Sequence, residues 1–291
     1  MFRFDCCKSH SEMFNTKMFQ AQTYLSNHSL QVRDADEVLQ KFKSEIKWKR
    51  GQKAIDIGCG PGDVTHDYLL PILPNDAELL AVDMCERMVN LGRNHYSDPR
   101  LNFDVLNLTN SEEVEKYESN FDLVFSFYCL NWIPDQRLAL KNMYSMLKPG
   151  GEMLFTLVVD SPNHLVWELT AASPKWSAYM KNFRDTIPRY HYSDDPASEI
   201  SELIRDVGFH IKHCSFEWKS FTFPTKQIFH KFMDGINPFL RNVPQCLLEE
   251  YGQEWEKTLW NEKLCFLHET GEVTYKYSVI TAFAQKPVTN A

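Results

Sequence analysis

From Ser29 to Ile46 the apolar residues Leu30, Val32, Ala35, Val38, Leu39, Phe42 and Ile46 recur every three or four positions. That spacing is one face of an amphipathic helix. Short apolar runs and helical stretches then alternate. Lys53–Ile57, Glu78–Val82 and Leu101–Val105 read as strands, with helices at Val64–Leu70 and around Met88–Tyr96 between them. Phe121–Phe127 is almost continuously apolar, as expected of a strand covered on both faces. Leu138–Leu147 has helical spacing, and Lys148-Pro149-Gly150-Gly151 is expected to stop that helix. Met153–Val159 gives a fifth strand. A βαβα order predicts a parallel, doubly wound sheet with its ligand at the carboxyl ends of the strands.

Beyond Val159 the rhythm changes. Residues 161–207 read as helical and carry the aromatic set Trp167, Trp176, Tyr179, Phe183, Tyr190, His191 and Tyr192. Gly208–Phe223 and Val273–Gln285 read as two further strands, the latter alternating Val273, Tyr275, Tyr277 and Val279. A second helical insertion, 225–263, separates them. The expected fold is α/β: a Rossmann-like, doubly wound, mostly parallel seven-stranded sheet. Residues 23–291 would form this domain, with 161–207 and 225–263 as a helical cap, and 1–22 an N-terminal extension.

Composition narrows the ligand. The chain has 291 residues, 43% hydrophobic and 24% charged, with a net charge of -8. Its cations are scattered, with a short cluster only at Lys47, Lys49 and Arg50, so no basic stripe exists for nucleic acid. A small molecule is the expected partner. The eight cysteines (6, 7, 59, 85, 129, 214, 246 and 265) form no C-x-x-C pair and no Cys/His cluster with zinc spacing, so no metal site is expected. The vicinal Cys6-Cys7 pair reads as free thiols. The N-terminus has no apolar core of a signal peptide, and no run is long enough to span a bilayer. A cytoplasmic setting without membrane insertion is expected, and the sequons at Asn27 and Asn107 carry no weight.

The chemistry concentrates at the end of the first strand. Asp56-Ile57-Gly58-Cys59-Gly60-Pro61-Gly62 places an acidic residue two positions ahead of a G-x-G-x-G turn. Glycine lets backbone approach a ligand closely and adopt positive φ without a Cβ clash. The helix opening near Val64 would aim its free N–H groups at that ligand. A dinucleotide site needs G-x-G-x-x-G to seat a pyrophosphate, and the spacing here differs. A carboxylate at this point instead suits a cationic amino group, such as that of S-adenosylmethionine. Asp83, closing the second strand, can accept both ribose hydroxyls. S-adenosylmethionine is therefore the expected cofactor, held by Asp56, Gly58, Cys59, Gly60, Gly62, Asp83 and Met84. An ordinary turn is the alternative for any one of these residues taken alone.

Over positions 50–160 the chain resembles the class I methyltransferases. In many of them an Asp after the third strand accepts the adenine amino group. Asn107 stands there in this chain, and its carbonyl can still accept. The resemblance adds the backbone at Leu108, for the adenine slot, and Ser126 to the cofactor set. Three further segments, Ser29-Leu30-Gln31-Val32-Arg33-Asp34-Ala35, Phe125-Ser126-Phe127-Tyr128-Cys129-Leu130-Asn131-Trp132 and Ile187-Pro188-Arg189-Tyr190-His191, resemble insect juvenile hormone acid O-methyltransferases, with similarity from Tyr24 to Lys286. This implies methyl transfer to the carboxylate of farnesoic acid or juvenile hormone acid. It implies further that Gln31 contacts the carboxylate and that Trp132 offers its indole N–H to the same oxygens. At position 131 the family commonly has His where this chain has Asn, which can donate a hydrogen bond but cannot titrate like imidazole.

Such a reaction needs little acid–base help. A carboxylic acid is ionised at neutral pH, and the sulfonium already activates the methyl group. The protein must align the reacting atoms and keep water out, for which neutral donors such as Gln31, Asn131 and Trp132 suffice. Tyr128, Trp167, Trp176 and His191 are the expected substrate-pocket residues. Core packing is the alternative for the tryptophans, and a hydrogen-bonded structural role for His191. Three rival functions stay open. A phenol or other hydroxyl methyltransferase would need a base. A nicotinamide oxidoreductase would need the other glycine spacing. A non-catalytic hormone-binding protein would bind ligand without turnover.

Overall fold

The computed structural model describes residues 24–288, so the expectations placed on residues 1–22, Cys6 and Cys7 among them, lie outside the described residues. Chain order gives helices α1 (Ser29–Phe42), α2 (Glu86–His95), α3 (Ser111–Glu115), α4 (Gln136–Met146), α5 (Pro162–Ala172), α6 (Pro196–Val207), α7 (Lys226–Ile236) and α8 (Leu248–Asn261). The strands are β1 (Lys53–Ile57), β2 (Glu78–Asp83), β3 (Leu101–Val105), β4 (Phe121–Phe127), β5 (Leu147–Asp160), β6 (His210–Phe223), β7 (Cys265–Leu267) and β8 (Val273–Gln285). They form a mixed sheet ordered β3-β2-β1-β4-β5-β8-β6, with the short β7 also pairing to β8. β1 to β5 run parallel, whereas β8 pairs antiparallel with β5, β6 and β7. The strand order reverses between β1 and β4. In such sheets the crevice at the reversal, beyond the strands' carboxyl ends, is where ligands bind.

The sequence pattern gave seven strands, and the eighth, β7, falls just after the helical insertion. Two other differences have local causes. Val64–Leu70 is not a regular helix: Thr65–Leu69 is a wide π turn that runs into a 3₁₀ turn at Leu70–Ile72, where Pro71 lacks the N–H an α-helix needs. Helix α4 does stop before Pro149, but Leu147–Gly151 already belongs to β5, with Gly150 at φ +79° and a register shift opposite Phe121–Leu123.

Both faces of the sheet are covered. Ile55, Val124 and Phe155 pack on one side with Leu140 and Met143 of α4 and Ile200 and Ile204 of α6. Helix α6, which the sequence reading placed in the cap, thus covers the sheet. Ala54, Phe125 and Leu154 pack on the other side with Val38, Leu39 and Phe42 of α1. Beside these lie two clusters of the insertions. One holds Phe223, Phe229, Phe232, Trp255 and Tyr275; the other holds Trp167, Trp176, Phe239 and Tyr251. No helix among the described residues is long and apolar enough to cross a membrane.

A buried carboxylate holds α1 against the far end of the sheet. Asp34 accepts from the Tyr277 hydroxyl at 2.6 Å and from Arg33 at 2.7 and 3.0 Å, pairs with Lys219 of β6 at 2.9 Å, and also accepts from the Tyr128 hydroxyl. Burial alone would raise its pKa, but the bonds from Tyr128, Tyr277 and Lys219 hold it below the usual carboxylate value. A depressed carboxylate stabilises the fold above its unfolded pKa and loses that contribution as pH falls through the folded value. Asp34→Ala should therefore cost about 3–5 kcal/mol in urea unfolding at pH 7, because the Tyr128 and Tyr277 hydroxyls lose their acceptor and Lys219, which keeps Glu37, loses one of its two carboxylates. A loss below about 1 kcal/mol would show that water replaces the carboxylate.

Candidate active site

The loops after β1, β2, β3 and β4 meet α1, α5, α7 and β8 around a cavity of about 380 Å³. A smaller pocket of about 30 Å³ adjoins it and shares Tyr24, Gln31, Gly58, Gly60 and Phe127. Ligand sites typically occupy roughly 300–1,000 Å³ and are mostly apolar with a few polar anchors. Among the described residues no Lys or Arg lines either space.

The glycine turn is built by steric necessity. Gly58, Gly60 and Gly62 all have positive φ, at +77°, +56° and +89°. A Cβ on Gly58 would lie 2.3 Å from the Cys129 Cβ, because the β1 and β4 loops touch there. A Cβ on Gly62 would strike the Phe103 ring at 2.5 Å, so this glycine packs the turn onto β3 and lines neither pocket. Gly60 is different: a Cβ there would meet only the Tyr24 ring, at 3.8 Å. It leaves open room on the cavity side, where a ligand can come close to the backbone.

Carboxylates surround this turn. Asp83 accepts from Gly60 N–H at 3.1 Å and Cys85 N–H at 2.8 Å, which orients it and leaves lone pairs for a ligand. Burial raises its pKa, and those two bonds oppose the rise. Asp56 is buried on the smaller pocket and accepts from the Thr65 hydroxyl at 2.5 Å. Burial pushes its pKa up to about 7, against the Thr65 bond and helped by the charges of Asp83 and Asp63. His28 bridges the Tyr24 carbonyl and Asp63, each at 2.7 Å, fixing the start of α1 beside the turn. Cys59 lines the smaller pocket, and Cys129 the larger, with its thiol pushed up to about 12 chiefly by burial. A space lined by carboxylates without cations suits a positively charged ligand and disfavours a pyrophosphate. S-adenosylmethionine, with its ammonium and sulfonium, fits that set.

The remaining residues singled out in the sequence divide clearly. Met84, Asn107, Leu108, Tyr128, Asn131, Trp132, Trp167 and Gln31 line the large cavity. Asn107 spends its side-chain oxygen on Thr109, accepting from the amide at 3.0 Å and the hydroxyl at 2.8 Å. Its turn role and its place at the cavity therefore coexist, and its NH₂ is the end left for a ligand. Ser126 does not reach the cavity: it is fully buried and donates to the Ile57 carbonyl at 2.9 Å, tying β4 to β1. Trp176 packs edge-on to Tyr251 behind the wall, and His191 bonds to Asp160 instead of lining the cavity.

Between the two spaces, the Oε1 of Gln31 is buried without a protein partner. That oxygen can accept from a ligand, and the NH₂ of the same amide is the end that can donate to one. The Asn131 amide, in the orientation that satisfies both neighbours, accepts from the Trp132 indole N–H at 3.1 Å and donates to the Tyr128 carbonyl at 3.2 Å. Tyr128 itself sits at φ +56°, held by its bond to Asp34 and by its N–H on the Thr156 carbonyl at 3.0 Å. A non-glycine residue in the left-handed region at a site of this kind is strain that the surroundings must hold. The sequence pattern missed Asn163, His164, Phe232, Ile236, Tyr275 and Tyr277, which also line the cavity. The tyrosines carried a strand signal that does not tell which face opens on a cavity. The others lie on α5 and α7, whose docking no local pattern encodes.

A family profile described as "Methyltransferase domain" matches residues 48–232. Over 275 residues the chain is 30% identical to the juvenile hormone acid O-methyltransferase of Drosophila melanogaster, covering 92% of this chain and 93% of that protein. It is also 30% identical to the enzyme of the same name from Bombyx mori, covering 92% and 98%. Its fold is similar to that of phosphoethanolamine N-methyltransferase 2 from Haemonchus contortus solved with S-adenosyl-L-methionine, with a TM-score of 0.58 at 17% identity, over 97% of this chain and 61% of that one.

The contact between the β1 and β4 loops is testable without any ligand. Gly58→Ala should cost at least about 2 kcal/mol in stability, from the Cβ clash and the positive φ together. Adding Cys129→Gly should recover about 1 kcal/mol of that loss, since it removes the clash and leaves the φ strain. Strict additivity of the two substitutions would show that the loops do not press on each other.

Proposed function

Because the chain belongs to the juvenile hormone acid O-methyltransferase family and is an S-adenosylmethionine-dependent O-methyltransferase, we propose that its acceptor is the carboxylate of a hydrophobic acid, with farnesoic acid or juvenile hormone acid preferred. The observation that carries this is Gln31 itself, a neutral amide whose NH₂ can donate to a carboxylate, on the wall of a mostly apolar cavity that no described Lys or Arg lines. Gln31 gives a carboxylate a neutral donor to bind, and the walls at Trp167, Phe232, Ile236 and Tyr275 accept a long hydrocarbon.

Asp83 takes the ribose hydroxyls, the Gly58–Gly60 turn with Cys59 receives the methionine end, and Asp56 balances its ammonium. Met84, Leu108 and the Asn107 NH₂ form the adenine slot. Gly62 and Ser126 act on the shape of the turn from behind. When bound, S-adenosylmethionine supplies a methyl group activated by its sulfonium. Gln31 fixes one carboxylate oxygen from α1. Asn131 holds the Trp132 indole by its N–H, so Trp132 serves as a wall and shares its N–H with Asn131 instead of giving it wholly to the acceptor. Charge disappears as a carboxylate and a sulfonium become ester and thioether. A Lys or Arg at the carboxylate would favour the charged ground state, and neutral donors avoid this cost.

Supplied with S-adenosylmethionine and farnesoic acid, a fatty acid or an aromatic acid, the enzyme should form a methyl ester fastest from farnesoic acid. Gln31→Leu should lower kcat/KM for that acid by about 10–100-fold, the worth of a hydrogen bond to a charged group. No ester from any of the three acids would overturn the carboxylate assignment. A product formed from a phenol in the same panel would favour a hydroxyl acceptor.

Asp56 gives a pH signature of its own. With a pKa of about 7 in the free protein, it is protonated below neutrality, whereas a bound ammonium favours the ionised form. Cofactor affinity measured by calorimetry should therefore fall up to about tenfold per pH unit below 7, and Asp56→Asn should flatten that slope. At saturating cofactor kcat should stay flat from pH 6 to 9, since no base is needed. A slope that survives in Asp56→Asn would remove this residue from cofactor binding.

A further inference from the structure

We propose that Asp160, His164 and His191 form a three-ligand site for a divalent first-row transition metal ion at the wall of the acceptor cavity. Among the described residues this is the one group of His, Cys and acidic side chains whose ligand atoms lie close enough together to share an ion. The three come from separate elements: Asp160 ends β5, His164 lies in the first turn of α5, and His191 lies in the 3₁₀ turn Arg189–Tyr192. None of them has a place in methyl transfer as assigned above.

The triangle of ligand atoms has the dimensions such an ion requires. Its edges are 2.9 Å between His191 Nδ1 and Asp160 Oδ1, 3.4 Å between the two Nδ1 atoms, and 3.7 Å between His164 Nδ1 and Asp160 Oδ1. A tetrahedral zinc ion with bonds of about 2.0–2.1 Å separates neighbouring ligands by about 3.3–3.4 Å. The observed edges straddle that value. Octahedral magnesium or calcium would call for an oxygen-rich set instead.

Hydrogen bonding among the three residues leaves His164 poorly served. Its buried ring meets only the 3.4 Å and 3.7 Å neighbours at Nδ1, both beyond good N–H···O length. Two facing imidazole nitrogens cannot both donate to each other. A cation between them satisfies both lone pairs and the carboxylate at once. The backbone is already set: His164 N–H bonds to the Ser161 carbonyl at 3.0 Å and His191 N–H to the Pro188 carbonyl at 2.9 Å. The Asp160 side chain is 36% exposed, against 5% for His164 and 13% for His191, which gives an ion an entry path from solvent.

Three protein ligands leave a fourth vertex for water, the arrangement of an open site and not of a closed structural one. His164, Ser161 and Asn163 all line the acceptor cavity, so an ion here would join the end of β5 to two cap segments along that wall.

The test uses the full-length chain, stripped with chelator and desalted, in a Cys6→Ser/Cys7→Ser background that removes the vicinal thiols as competing ligands. Zn²⁺ titration should give one equivalent bound, with a Kd on the order of 1 μM or tighter. Co²⁺ should give the visible absorption of a tetrahedral site, and Zn²⁺ should raise Tm. His164→Ala and His191→Asn should each weaken Zn²⁺ binding by more than about 100-fold, beyond the 10–100-fold cost of losing an outer partner. His268→Ala, at a site far along the chain, should leave it unchanged. No uptake of Zn²⁺, or uptake unaltered in His191→Asn or His164→Ala, overturns the site.

Discussion

Asp34 is a buried anion whose cost is offset only because five donor groups converge on it from four parts of the chain. Arg33 comes from its own helix, Lys219 from β6, Tyr277 from β8 and Tyr128 from the loop after β4. A single charge in this position demands that α1, the antiparallel edge of the sheet and the β4 loop all be in place. Gln31 stands one helical turn before Asp34, so the same contact carries the Gln31 amide to the cavity. It also bears on the left-handed backbone at Tyr128, because the tyrosine ring reaches its acceptor from that conformation. The hydroxyl committed to Asp34 is then withheld from any ligand, and the Tyr128 ring is what faces the cavity.

The cavity's charge distribution follows from the same economy. Asp56, Asp63 and Asp83 stand near the glycine turn, and among the described residues no Lys or Arg enters. Acidic groups at one end draw a cation, whose charge they stabilise before any second ligand arrives. For the proposed carboxylate acceptor that cation would be the counter-charge, and neutral amides would suffice to orient it. A Lys or Arg in the place of Gln31 would compete with the sulfonium for a carboxylate acceptor and hold it back from reaction, whereas two of the three proposed metal ligands, Asp160 and His191, stand outside the cavity lining.

What the sequence made legible was local. The β1 strand, its glycine turn and Asp83 lie within one βαβ unit, where period, punctuation and acidic positions are set by neighbours along the chain. Gly58 shows how far that goes: its type and positive φ follow from the motif, but its contact with Cys129 required β4 to be placed. The π turn after Gly62 was masked by helical spacing that the following Pro71 does not permit to continue. Trp176 and His191 belonged to an aromatic stripe, and nothing in its period distinguished the side facing Tyr251 or Asp160 from the side facing the cavity. Cysteine spacing gave no sign of Asp160, His164 and His191: the first two are neighbours at the β5–α5 junction, and His191 joins them only when the Arg189–Tyr192 turn packs there.

On the proposed assignment of residues, the division of the cavity walls also separates the two parts of the function. The cofactor end is built on loops that the parallel strands fix, where a glycine cannot change without a clash and an aspartate is bonded to backbone on both oxygens. The acceptor end is built from α1, α5, α7 and β8, whose apolar side chains can exchange for others of similar volume at small cost. Cofactor use is therefore constrained by backbone geometry, whereas acceptor choice is constrained mainly by cavity shape. Asn131 sits on the border of the two. Its amide spans the Trp132 indole and the Tyr128 carbonyl, so it holds the loop after β4 in place by hydrogen bonds that do not depend on pH. A titrating imidazole at that position would tie the loop's order to protonation. The amide would leave the geometry of transfer the same across the range in which the proposed carboxylate acceptor stays ionised.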